Sequence, residues 1–286
     1  MLPVVLGLSA ATCIGFSNIV AGITARRLTP LIVGFWSQAT GAVWCALLLL
    51  ILRPPLVSGQ IPAGLIAGLA GGTGMVLFYR SMAAGAISVV ALITACSVVF
   101  PVVYAIASGE TPTLFVACGL VAIIAGILLA SLRPTPVRGD PPDTRISTDR
   151  WAVILAIGAA VAFGMFFILI DFAPPAGGWG ALWTAGAVRS SGFGVQVALA
   201  LFGARRLGWP GRHAPAIALA GTLDLTSLIL ISFGSTTDAY GIVTALVGLY
   251  PVIAALLGVV FLGERLTRVQ ASGATLAMAG VLLVSV

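Results

Sequence analysis

The chain has no lysine, and charged residues of any kind fill only 8% of its 286 positions. A soluble domain of this size carries about a quarter charged residues, so a water-facing fold is excluded. Without lysine there is also no G-x-x-x-x-G-K-[ST] loop, and hence no ATP hydrolysis by this chain. Histidine occurs once, as His213 in a short basic loop, which leaves no His and Cys set for a metal. The four cysteines, Cys13, Cys45, Cys96 and Cys118, lie in apolar runs at spacings that match neither a zinc knuckle nor a redox pair. They read as small hydrophobes. Intramembrane hydrolysis lacks its usual groups too, since no apolar run holds paired acids or a Cys-His cluster. The expectation is a protein that is not an enzyme and uses no cofactor and no metal.

What the chain does have is apolar surface: 60% hydrophobic residues and a mean hydropathy of +1.16. That composition defines an all-α polytopic membrane protein. The formal charge of +6 comes from arginines between the apolar runs, so it speaks to topology and the lipid bilayer, not to nucleic acid. Met1-Leu2 offers no basic n-region, and the first helix is expected to be the targeting signal itself.

Crossing a hydrocarbon core of about 30 Å takes roughly 20 helical residues. Cutting the chain at its charged and Pro/Gly punctuation gives ten spans of that length. They are 2–24, 30–52, 62–83, 86–107, 112–132, 151–172, 179–203, 214–235, 239–262 and 267–286. One connection, residues 133–150, is rich in Pro and charge and reads as a linker between units 1–132 and 151–286.

The two units carry the same text. A shift of 154 positions lays Gly109-Glu110 on Gly263-Glu264, Gly119 on Gly273 and Gly126 on Gly280, and 11 of 34 positions agree without a gap between 98–131 and 252–285. Five spans per unit is odd, so the second unit enters the bilayer from the opposite side. The expected architecture is ten transmembrane helices as a 5+5 inverted repeat, which in secondary transporters places the substrate site near the midplane between halves.

An apolar helix with a central Pro251, a Leu262-Gly263-Glu264 turn, and a helix with Gly273 and Gly280 seven apart resembles the EamA module of the drug/metabolite transporter superfamily. The resemblance covers essentially the whole chain. It implies a multi-pass carrier of the bacterial inner membrane that exports small metabolites by alternating access, and overall likeness points to the YddG-type amino-acid exporters. Its partners would be a small-molecule substrate and the lipid bilayer, with a monomer sufficient and no nucleic acid involved. A multidrug or organic-cation exporter is the alternative. Sugar-phosphate and nucleotide-sugar carriers need cationic groups on the phosphate, and span 239–262 has no basic residue. The first unit departs from the pattern: Ser97 stands where Pro251 would map, and Pro101 lies one turn later. Kinks at Pro101 and Pro251 would therefore be unequal between the halves.

Each ionisable residue in mid-membrane costs about 2.5 to 3.5 kcal/mol on insertion scales and so asks for a reason. Asp224 stands ten residues into the eighth span, fit to bind a substrate ammonium, to carry a coupling proton, or to be satisfied by nearby hydroxyls or an arginine. Tyr79 and Arg80 could offer a phenol and a guanidinium to a carboxylate, although Arg80 is also placed to snorkel. EamA proteins often carry an arginine where Arg189 stands in the seventh span, and its repeat partner is about Gln38; it reads as an anchor or a ligand. Asn18, Trp36, Thr94, Ser97, Trp183, Tyr240, Thr244 and Tyr250 complete a set of aromatic and polar residues suited to amphipathic solutes. Gly109, Glu110, Gly263 and Glu264 read as structural hinges, the carboxylates favouring the N-termini of the helices that follow. Gly64, Gly68 and Gly72, spaced four apart, predict close helix contact.

Arginine bias sets orientation. Eleven arginines (26, 27, 133, 138, 145, 150, 205, 206, 212, 265, 268) fall after odd-numbered spans, and only Arg53 falls on the other side. The count expects the linker in the cytoplasm and both termini outside.

Overall fold

The computed structural model describes residues 2–57, 59–85, 87–109, 113–131, 150–172, 178–202, 207–234 and 268–284, with scattered positions between 237 and 260. Every regular element among them is helical. The elements are α1 (Leu2–Ala25), α2 (Pro30–Leu52), α3 (Gln60–Ala84), α4 (Ile87–Thr94), α5 (Val99–Ala107), α6 (Leu114–Ser131), α7 (Arg150–Asp171), α8 (Gly178–Phe202), α9 (Ala214–Gly234) and α10 (Arg268–Val284). Six of them, α1, α2, α3, α7, α8 and α9, are long and apolar enough to cross a bilayer. Large apolar side chains such as Leu50, Phe115, Ile154 and Leu201 are exposed on the outside, as lipid requires, while the chain is a multi-pass bundle inside.

Local chemistry sets the helix ends. Pro30 opens α2 at its first turn, where its missing N–H is not needed. Arg53 closes it in a left-handed conformation, φ 43°, with its N–H donating to the Leu49 carbonyl. Gly109 follows α5 at φ +101°, a region glycine enters without steric cost. The Gly-Glu turn of the first unit thus has a backbone reason for its glycine. Glu110, Gly263, Glu264 and Pro251 lie outside the described residues.

The fourth span is not one helix. A 3-10 turn, Ala95–Val98, separates α4 from α5. Pro101 explains it: proline has no N–H for the Ser97 carbonyl four residues back, and its ring crowds that carbonyl. The distortion expected at Pro101 is therefore displaced one turn toward the N-terminus and absorbed at Ser97, whose side chain is fully buried there.

Many helix contacts join elements far apart in the chain. α3 packs along α7 and α8, α9 packs along α1 and α2, α2 meets α8, and α6 pairs with α10. Lipid is as apolar as leucine, so such contacts depend on close packing and polar bonds more than on burial. Both occur. A Cβ on Gly72 would stand 2.7 Å from the Gly192 Cα, and one on Gly68 would collide with the Val188 carbonyl and Ser191 Oγ. Ser17 Oγ of α1 donates to the Ala220 carbonyl of α9 at 2.9 Å, and Ser81 Oγ of α3 to the Ala152 carbonyl of α7 at 2.6 Å.

Candidate functional site

The close α3/α8 and α2/α9 crossings bring three intramembrane polar residues together. Arg189 Nη1 donates to Asp224 Oδ2 at 2.7 Å and to Gln38 Oε1. The guanidinium is 5% and the carboxylate 19% exposed, so the pair is sealed on the arginine side and accessible on the aspartate side. Asp224 is thus satisfied by an arginine. The hydroxyls beside it in sequence serve the helix instead: Thr222 Oγ1 donates to the Ala218 carbonyl, Thr226 Oγ1 to that of Thr222, and Ser227 Oγ to that of Asp224.

This bridge borders a cavity of about 120 Å³ between α1, α2, α3, α7, α8 and α9. A single water needs only about 10 to 15 Å³ of such space, so the cavity has room for several waters or one small solute. Its polar wall holds Asn18, Gln38, Arg189, Asp224, Ser227 and Tyr250. Opposite stand Met75, Phe78, Phe163, Phe166 and Phe167, and the backbone of Gly68, Gly71, Gly72 and Gly192. Phe163, Phe166 and Phe167 follow an i, i+3, i+4 pattern on α7, one face of a helix. That spacing is the signal by which they could be found in the sequence.

Other expected residues stand elsewhere. Tyr79 is 1% exposed with its hydroxyl 3.5 Å from Ser37 Oγ, while Arg80 is exposed. Consecutive helical residues diverge by about 100°, so phenol and guanidinium cannot face one solute. Trp36 donates its indole N–H to the Gly208 carbonyl at 3.0 Å and meets Trp209 edge-on, pinning the start of α2 to the 207–210 segment. Trp183 donates to the Pro55 carbonyl at 2.9 Å and lines a second cavity. Thr94 and Ser97 are fully buried behind the cavity wall, against the Tyr250 hydroxyl, and do not line the cavity themselves. Tyr240 and Thr244 lie outside the described residues. Among the described residues no three His, Cys, Asp or Glu side chains group around a metal position, and the four cysteines are free thiols.

A polar bridge inside a multi-pass bundle, facing an internal cavity, is the arrangement expected of a membrane transporter. The chain belongs to the EamA-like transporter family, which matches residues 1–132 and again 150–286. It is 31% identical over 148 residues, 50% of this chain, to a protein of Streptantibioticus cattleyicolor named "Probable terminal-alkyne amino-acid exporter". The match spans about half of that relative, 46% of its length. A solved structure described only as "Crystal structure of protein" shares the fold at a TM-score of 0.65 and 15% identity, over 98% of this chain and 96% of that one.

Proposed function

We propose that this transporter exports amino acids or similar small zwitterions across the bacterial inner membrane by alternating access, with its ten helices arranged as a 5+5 inverted repeat. The observation that carries the reading is the Arg189–Asp224 pair in the wall of the central cavity. Breaking a buried ion pair by removing one partner costs about 3 to 5 kcal/mol, because a charge is left unpaired. A zwitterion avoids that cost. Its ammonium takes Asp224 as its carboxylate takes Arg189, and every charge stays compensated. The net charge of the bridge is zero, which favours a zwitterion over a lone organic cation or a sugar phosphate.

Two further observations support the reading. The helix contacts fall in pairs that an inverted repeat relates: α3 on α7 with α1 on α9, and α3 on α8 with α2 on α9. The amino-acid exporter of Streptantibioticus cattleyicolor adds a relative whose name gives the same substrate class. The cavity lies between the units, where rocking of one against the other would alternate its access.

Proteoliposomes loaded with an amino-acid panel, a quaternary cation or a sugar phosphate test the proposal. Amino-acid efflux that falls sharply in Asp224→Asn is the expected result. Efflux of the cation alone would overturn the assignment and leave the multidrug reading.

A further inference from the structure

Arg189 and Asp224 are the charged side chains among the described residues that line the central cavity. An amino acid that sets its carboxylate on one and its ammonium on the other leaves no partner for a charge on its side chain. An unpaired charge within the membrane is costly, so that side chain has to be neutral. What the cavity offers it is aromatic: Phe78 and Phe163 meet edge-on with ring centroids 6.0 Å apart, and Phe166 and Phe167 do so at 5.2 Å.

Two of these rings are seated on glycine. A Cβ on Gly74 would stand 2.8 Å from Cδ1 and Cε1 of Phe163, and one on Gly71 would stand 3.2 Å from Cδ2 of Phe166. The rings are three residues apart on α7 and the glycines three apart on α3, in the opposite order, as antiparallel helices require. Each ring thus lies closer to α3 than any side chain there would allow. Phe163 lines the cavity while buried Gly74 does not, so Gly74 touches the ring from its far side.

We propose that Phe163 and Phe166 form the subsite for the substrate's side chain, and that their seats on Gly74 and Gly71 set its depth. The inference rests on the exporter reading and narrows it: the substrate is an α-amino acid with a short aliphatic side chain. Size follows from the cavity, whose volume of about 120 Å³ is less than the roughly 150 Å³ of an apolar cavity that takes up one benzene. A phenyl side chain with its zwitterionic head is larger still. Polarity follows from the rings, which give a buried hydroxyl no hydrogen-bond partner.

Counterflow of labelled alanine in proteoliposomes, inhibited by unlabelled amino acids, tests both parts. 2-Aminobutyrate and serine are close in size and differ by a methyl against a hydroxyl; 2-aminobutyrate should inhibit at an about tenfold lower concentration. Phenylalanine should inhibit poorly. Gly74→Ala should press Phe163 into the subsite and raise the half-inhibiting concentration of 2-aminobutyrate relative to alanine several-fold. Phe163→Ala should let valine and phenylalanine inhibit, and added to Gly74→Ala it should restore the 2-aminobutyrate ratio, because the atoms that the new methyl meets are gone.

Each ratio is taken within one preparation, so a smaller folded fraction cancels, and the serine comparison needs no substitution at all. Serine or phenylalanine inhibiting as well as 2-aminobutyrate would overturn the proposal and leave the exporter reading standing. So would ratios that Phe163→Ala leaves unchanged, or counterflow of charged or aromatic amino acids in place of alanine. If no amino acid moves, the exporter reading falls and the subsite falls with it.

Discussion

Gly221 of α9 lies directly against Ser37 of α2: a Cβ at Gly221 would stand 3.1 Å from the Ser37 Cα and closer still to its carbonyl oxygen. Gln38 is the next residue along α2, and Asp224 is one turn along α9. The contact sets the spacing across which Arg189 bridges them. Gly221→Val should force the helices apart, with an overpacking cost of about 1 to 3 kcal/mol. A lower melting temperature in detergent together with reduced transport is expected; an unchanged melting temperature would show that the helices do not meet here.

Removing one charge of the bridge should cost more than removing both. Asp224→Asn leaves the Arg189 guanidinium buried beside a neutral amide, and about 3 to 5 kcal/mol of stability should go with it. Adding Arg189→Gln to Asp224→Asn should recover most of that stability while transport stays lost. A denaturation series across the two single variants and the double variant reads the coupling.

Trp36→Phe separates anchoring from binding. It removes the bond to the Gly208 carbonyl, worth about 0.5 to 1.5 kcal/mol, from a residue outside the cavity. The expected outcome is a modestly lower melting temperature with the substrate KM unchanged. A raised KM would place Trp36 on the substrate path.

Pro101→Ala supplies the N–H that a continuous α-helix would direct to the Ser97 carbonyl, which the Val99 N–H reaches in the 3-10 turn, and should convert Ala95–Val98 to α-helix. The melting temperature should rise and the exchange rate fall, if the turn is where the first unit bends during transport. Faster exchange would refute that role.

The arginine count expects the C-terminus outside the cytoplasm. A reporter fused after Val286 and active only in the periplasm should be active. A fusion active only in the cytoplasm would reverse the orientation.

Asp224, Arg189 and Gln38 were visible in the sequence because a polar residue stands out in an apolar span. Their meeting was not, since it depends on which helices cross, and that depends on glycine contacts such as Gly68 with Val188 and Gly221 with Ser37. Membrane helices also mute the periodic signal: Phe163, Phe166 and Phe167 point into the cavity from a helix whose other faces are apolar for lipid. Arg80 was paired with Tyr79 by adjacency, where the helical turn separates them. Trp36 and Trp183 stand out as aromatics in apolar spans, but neither lines the central cavity, and both use their indole N–H groups on loop carbonyls.

The floor of the central cavity is backbone, at Gly68, Gly71, Gly72 and Gly192. A wall of side chains can yield to a bulky guest by a change of rotamer, but a wall of main chain cannot. On that side the cavity grows only if α3 and α8 separate as rigid bodies, the same displacement that would open the bundle. A solute too large for the floor would therefore act as a wedge on the cycle itself, so size discrimination would be read in turnover more than in affinity.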